Sequence, residues 1–178
     1  VLLIPDEVMC GMGRTGSLFA CEQEGVSAGL ICIARGLGAG YQPIGAVMVS
    51  QAIRDTLRAG TGFFQHGHTC IGHATACAAA LAVRQQIEQR DLLANVRAMG
   101  KLLKDRLVQR FGDHPHIGDI RSRGLSMQAG LMCYPMGGTI DGQHGDHGLL
   151  APPYIIDSSH VDEIVDKLGS AIDGSLAG

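Results

Sequence analysis

Tryptophan is absent from this chain, and aromatic residues of every kind make up only 4 % of its 178 positions. Packing therefore falls to aliphatic side chains and alanine. No run of lysine or arginine occurs, and the formal net charge is −3. That balance excludes nucleic acid and anionic membrane surfaces as expected partners. Long apolar runs are missing too. The longest, Ala76–Val83, falls far short of the ~20 residues a membrane helix needs. No signal-peptide pattern opens the chain. Paired cysteine spacing of the metal-knuckle kind is lacking among the six cysteines. Reduced thiols in a cytoplasmic protein are the expectation.

What is present is glycine, at 26 residues, and a hydrophobic fraction of 46 %. The first suits loops that approach a ligand closely. The second is ample for a core and too high for a disordered segment. The chain opens inside an apolar run with Val1 rather than Met. We expect it to be part of a longer polypeptide, with a sheet short of strands and poorly soluble alone.

Strand-like runs occur at Val1–Ile4, Gly29–Ala34 and Ala46–Ser50. Ser50 can cap a short helix that runs to Leu57 and that Gly60 would end. A polar Gly/His-rich loop, Thr61–Gly72, precedes a helix expected from Ala74 to Arg90, with Ala76, Ala80, Val83 and Ile87 on one face. A second helix is expected over Leu92–Phe111, striped by Leu92, Val96, Met99, Leu103 and Leu107. Strand-like stretches follow at Ile117–Arg121, Leu125–Tyr134 and His147–Ile156. A last helix, capped by Ser159, carries Val161, Ile164, Val165, Leu168 and Ile172 on one face. The expected domain boundary lies near Arg90–Leu92, dividing residues 1–90 from 91–178.

Two strand ends carry the chemistry. Val1–Pro5 leads into Asp6-Glu7-Val8, and Leu30–Ala34 leads into Arg35-Gly36-Leu37-Gly38. In an open α/β sheet, ligands sit outside the carboxyl ends of strands. Gly11-Met12-Gly13-Arg14-Thr15-Gly16 spells G-x-G-x-x-G after a strand. A dinucleotide fingerprint would open a full crossover helix with an acid about 20 residues on. Only Ser17–Gly25 is available as helix, and position 31 is Ile, so a glycine-rich turn is the better reading. His66, His68, Cys70 and His73 are zinc-ligand types. Their spacing does not converge them, and a polar loop offering Thr69 and backbone N–H groups to an anion before a helix start is the alternative. Asp6 alone could cap a turn.

Ordered blocks now join these ends. Asp6-Glu7-Val8 through Gly16, Ala34-Arg35-Gly36-Leu37 through Ala46, His66-Gly67-His68-Thr69 through Ala80, Gly118–Leu125 and Ala151-Pro152-Pro153 span nearly the whole chain. Together they resemble the C-terminal portion of class III (ornithine/omega-type) pyridoxal-phosphate aminotransferases. The resemblance implies an α/β fold of the fold-type I kind. Residues 1–90 would be part of the large cofactor domain and 91–178 the small α+β domain. It implies a homodimer with interfacial active sites, a small-molecule amino donor and a keto acid acceptor. It implies Asp6 at the pyridine nitrogen, Val8 against the ring and Thr69 on the phosphate of the partner subunit's cofactor. Gly11, Gly13 and Gly16 would be structural, and no metal is implied.

The sequence departs from that family at a decisive place. Arg35 stands where the family has its Schiff-base lysine. A guanidinium stays protonated in proteins, with a pKa above about 12, so it can neither act as the base nor attack an aldehyde. Cys70 stands where an aromatic is common and Ala74 where proline is common. The family's N-terminal half, with its phosphate cradle, lies outside the chain. The stretch Asp141–His147 holds no arginine for a substrate carboxylate. The sequence therefore implies an aminotransferase silent as written. A noncatalytic cofactor-binding or partner protein of the same fold is the alternative.

Overall fold

Apolar residues spaced three and four apart dictate the two long helices, Leu92–Phe111 and Ser158–Leu176, and short runs of alternating burial, such as Ile120–Arg123, mark strands. We describe residues 1–129, 138, 143, 145 and 147–176 from a computed structural model. The chain forms two compact units. One comprises Val1–Gly13 and Ser17–Asp91, the other Arg14–Gly16 and Leu92–Gly178.

In the first unit, β1 (Leu30–Ile33) pairs antiparallel with β2 (Ala46–Val49), Leu30 opposite Val49 and Ile33 opposite Ala46. The Pro5–Glu7 segment runs parallel to β1. Cys32 N donates to Pro5 O at 3.1 Å, and Glu7 N donates to Cys32 O at 2.9 Å. Val1–Ile4, expected as a strand, joins no ladder among the described residues. Pro5 has no N–H to extend the pairing, and Leu2, Leu3 and Ile4 stay exposed. The four residues of β2 are also exposed, so its strand character rests on pairing rather than burial.

Helix α1 (Gln51–Ala59) follows Ser50 as expected. Ser50 contributes its carbonyl, which accepts from Arg54 N at 3.1 Å, and its hydroxyl makes no cap bond. Helix α2 (Ala74–Gln89) starts under His73, whose Nδ1 accepts from Ala76 N at 3.3 Å. It buries Ala76, Ala80 and Ile87, and it packs against the turn that holds Arg35.

In the second unit, α3 (Leu92–Phe111) buries Leu92, Val96, Gly100, Leu103, Leu107 and Phe111. Helix α4 (Ser158–Leu176) turns Val161, Val165, Leu168 and Ile172 into the same core. An antiparallel sheet completes it, with order β3 (Ile120–Arg123), β4 (Ser126–Ala129), β5 (Gly148–Leu150). The sheet adds Met127 and, from the β3–β4 turn, Leu125.

Three expectations shift here. The β4 strand starts after Gly124, whose φ of +56° makes the turn from β3; residues 130–134 of the expected strand lie outside the described residues. The last strand ends at Leu150, because Pro152 and Pro153 cannot donate to a ladder. The cap of α4 is Asp157 rather than Ser159. Its carboxylate accepts from Ser159 N at 2.9 Å and His160 N at 3.1 Å. The Ser159 hydroxyl and the His160 amide hold this carboxyl below the usual range, as an N-cap acid should be.

The Arg14–Gly16 strap lies within the second unit. Leu125 N donates to Arg14 O at 3.1 Å. Arg14 Nη1 donates to Pro152 O at 2.6 Å, and the guanidinium sits 4.6 Å from the Tyr154 ring centroid. Arg97 Nη1 donates to Gly16 O at 2.5 Å. The G-x-G-x-x-G run is therefore a turn and strap, not a helix-opening fingerprint, and its Gly13 (φ +101°) and Gly16 (φ +93°) are left-handed.

Candidate functional site

The parallel pairing of Asp6 with Cys32 brings two strand ends side by side. Asp6 stands at one end, and Arg35 follows β1 at the other. Asp6 is exposed, and its Oδ1 accepts from Val8 N at 3.0 Å. The carboxylate thus caps the turn that starts at Val8. Val8 lies in that turn rather than on a continued strand, so strand alternation does not set its direction. Among the described residues, Oδ2 of Asp6 has no hydrogen-bond partner.

Arg35 opens a 3-10 turn, Arg35–Leu37, with φ of +33°. A side-chain-bearing residue in that region is uncommon and held there by its surroundings. Here the turn closes through Leu37 N to Ala34 O at 2.8 Å and Ala39 N to Arg35 O at 3.1 Å. The side chain is exposed, with no described partner. Thr69 sits on the exposed loop before α2. It shares no described hydrogen bond with Asp6, Val8 or Arg35. The Ala76 amide at the α2 start is already occupied by His73, which narrows that helix end as an anion site.

The residue missed by sequence reading is Glu7. It is only 2 % exposed. Its carboxylate accepts from Cys21 N at 2.7 Å, Ala20 N at 2.9 Å and the Cys10 thiol at 3.2 Å. Burial pushes the carboxyl up, but the amides of Ala20 and Cys21 and the thiols outweigh it and leave Glu7 below its ordinary 4.5. No positive charge is among the causes. Burial and the adjoining Glu7 carboxylate push the Cys10 thiol up to about 11.

Two expected outcomes follow. The folded Glu7 binds its proton more weakly than in the unfolded chain. Its contribution to stability is therefore present above pH 4.5 and lost as pH falls through the lowered value. Thermal unfolding from about pH 6 to pH 3 should show that loss, and Glu7→Gln should flatten it. Cys10, being almost wholly thiol at pH 8, should alkylate far more slowly than exposed Cys70, read by peptide mass spectrometry.

An acid with a free oxygen suits a protonated ring nitrogen, and an exposed guanidinium suits an anionic group. The donor set at these strand ends therefore fits noncovalent holding of pyridoxal phosphate. It does not fit covalent attachment at position 35. Among the described residues, His66, His68, Cys70 and His73 form no group of metal-holding geometry.

The sequence pattern of the family described as Aminotransferase class-III matches residues 1–172. An aminotransferase of Gibberella zeae is 38 % identical, over 96 % of this chain and 39 % of that protein. A diaminobutyrate–2-oxoglutarate transaminase of Halomonas elongata is 45 % identical, over 74 % of this chain and 28 % of that protein. Among solved structures, the omega transaminase of Pseudomonas jessenii in complex with PMP superposes with a TM-score of 0.83 at 32 % identity. That match covers 98 % of this chain and 44 % of the other. The architecture is accordingly that of part of an α/β fold-type I transaminase. The chain spans about two fifths of the length of the first of these relatives. On the match along nearly its whole length, this chain belongs to the class-III aminotransferase family.

Proposed function

We propose that this chain is the C-terminal portion of a pyridoxal-phosphate-dependent aminotransferase whose chemistry is silenced at Arg35. The observation that carries the reading is the paired strand ends, with Asp6 at one and Arg35 following the other. Residues 1–90 serve as the cofactor-binding part and 91–178 as the small domain. The substrates are an amino acid or amine and a keto acid, and the protein is a cytoplasmic homodimer. Cys10, Cys21, Cys32, Cys70 and Cys77 are unpaired thiols. Phe63 and Phe64, 64 % and 66 % exposed, offer apolar contact on the Thr69 loop.

When bound, pyridoxal phosphate supplies an electron sink for the substrate Cα. Asp6 holds a proton at the pyridine nitrogen, since a carboxylate beside it favours the charged ring. Val8 would supply apolar contact to the ring. The Thr69 hydroxyl would donate to the phosphate of the partner subunit's cofactor. Arg35 binds by charge alone, to phosphate or ring oxygen. It cannot take up the Cα proton, because its guanidinium does not deprotonate.

Pyridoxamine phosphate tests the binding half of this reading without interference from other lysines, since it has no aldehyde. Titration should show saturable binding, weakened about tenfold or more by Asp6→Asn, the scale of a charged hydrogen bond. Unchanged affinity in that variant would remove Asp6 from the site. Detectable amino transfer by protein carrying Arg35 would overturn the silencing. The alternative reading, a cofactor-binding protein reworked away from catalysis, is favoured by the exposed guanidinium without a described partner. It predicts that lysine at position 35 restores nothing.

A further inference from the structure

Resting on that reading of Asp6, we propose that Glu7 is the positioning residue that sets where Asp6 stands. The two are sequence neighbours with opposite fates: Asp6 is exposed and Glu7 is buried. Extended backbone sends consecutive side chains to opposite faces. A side chain anchored at Glu7 therefore aims its neighbour the other way.

The anchor is well made at every atom. The Glu7 amide donates to Cys32 O at 2.9 Å and holds the Pro5–Glu7 segment in register with β1. The Glu7 carbonyl accepts from Gly11 N at 2.9 Å and closes the turn after Asp6. Oε1 accepts from Cys21 N at 2.7 Å, and Oε2 accepts from Ala20 N at 2.9 Å. Those amides open the 3-10 helix Ala20–Glu24, distant in sequence from Asp6 but in the same unit. The Cys10 thiol supplies a further donor to Oε2. Gly11 is part of the fit: a Cβ there would lie 2.6 Å from Glu7 O and 3.0 Å from Glu7 Cβ.

A carboxylate is required because both oxygens accept from backbone N–H groups. Glutamine has one acceptor oxygen, and its NH₂ would face an amide donor. Glu7→Gln therefore leaves one part-buried N–H unpaired while keeping side-chain volume. The Asp6–Val8 turn then loses a fixed base, and the Asp6 carboxylate spreads over more orientations.

The test is a double-mutant cycle on the full-length protein, read by pyridoxamine phosphate binding and by the pH profile of the bound ring's absorbance. Glu7→Gln should weaken binding about fivefold, the scale of one lost hydrogen bond. It should also lower the pH at which the bound ring loses its proton, toward the Asp6→Asn value. In the Asp6→Asn background it should add almost nothing, since its effect passes through Asp6. A merely structural role would lower the thermal midpoint and leave the ring titration of the folded fraction unmoved.

Ala20→Pro provides a second route should Glu7→Gln fold poorly. Proline suits the first helical position, and Phe19 before it is already extended at φ −122°, ψ 141°. The substitution deletes only the N–H given to Oε2, so a smaller shift of the same sign is expected. Additive losses in the cycle, or an unmoved ring titration, would overturn the role of Glu7 alone. An Asp6→Asn protein that binds and titrates like wild type would overturn the reading of Asp6 and Glu7 with it.

Discussion

Arg35→Lys in the full-length protein should raise amino transfer by at least about 100-fold over a baseline near zero, since a positioned general base contributes ~10²–10⁴. Position 35 follows β1 in a turn with left-handed backbone, so a new side chain there starts from the same place as the guanidinium. Lysine differs from arginine in the property that matters. Burial and nearby cations lower its pKa, and its neutral amine is a base and a nucleophile. Both side chains are long and flexible, and the arginine is exposed, so the exchange should leave stability nearly unchanged. Steady-state assays with a panel of amines and keto acids would measure the gain. No gain would favour the reworked, noncatalytic reading.

Gly100→Ala should destabilise the second unit by about 3 kcal/mol or more, at the upper end of what overpacking costs. Helix propensity alone argues the other way, favouring alanine by about 1 kcal/mol. Close approach decides the sign. A Cβ at position 100 would sit 2.2 Å from Gly124 O and 2.4 Å from Gly124 C, and the obstacle is backbone. Gly124 cannot retreat. A Cβ on its own Cα would meet Thr15 C at 2.6 Å, and its φ is +56°. Gly174 of α4 is the control, with nothing within 4 Å of an added Cβ. Gly174→Ala should be neutral or stabilising by up to about 1 kcal/mol. Chemical unfolding should show a large loss for Gly100→Ala and none for Gly174→Ala.

Helices were the legible part of this fold, because their apolar stripes are local. The Leu92–Phe111 stripe and the Val161–Ile172 stripe read from spacing are the buried faces of α3 and α4, with Met99 and Ile164 half-buried at their edges. Strand ends were less legible. Pairing depends on partners elsewhere in the chain, so Val1–Ile4 looks like a strand and joins no described ladder. Caps depend on which of two polar neighbours points back, and Asp157 displaces Ser159 for that reason. Asp6 and Arg35 stand out in sequence as polar residues ending apolar runs, and the structure sets those two run ends side by side. Glu7 does not stand out, because an acid beside an acid reads as solvated surface. Its burial is set by amides at Ala20 and Cys21, which no local pattern reveals. The one available signal was its place before the glycine-rich turn, where a buried acid has backbone donors within reach.

Reductive trapping at position 35 separates a covalent cofactor site from a noncovalent one. The protein would be incubated with pyridoxal phosphate and borohydride, then digested, and the peptide spanning residue 35 weighed. The wild-type peptide should carry no cofactor mass on Arg35, and the same peptide of the Arg35→Lys variant should carry one. A label on the wild-type peptide, or none on the lysine variant, would contradict it.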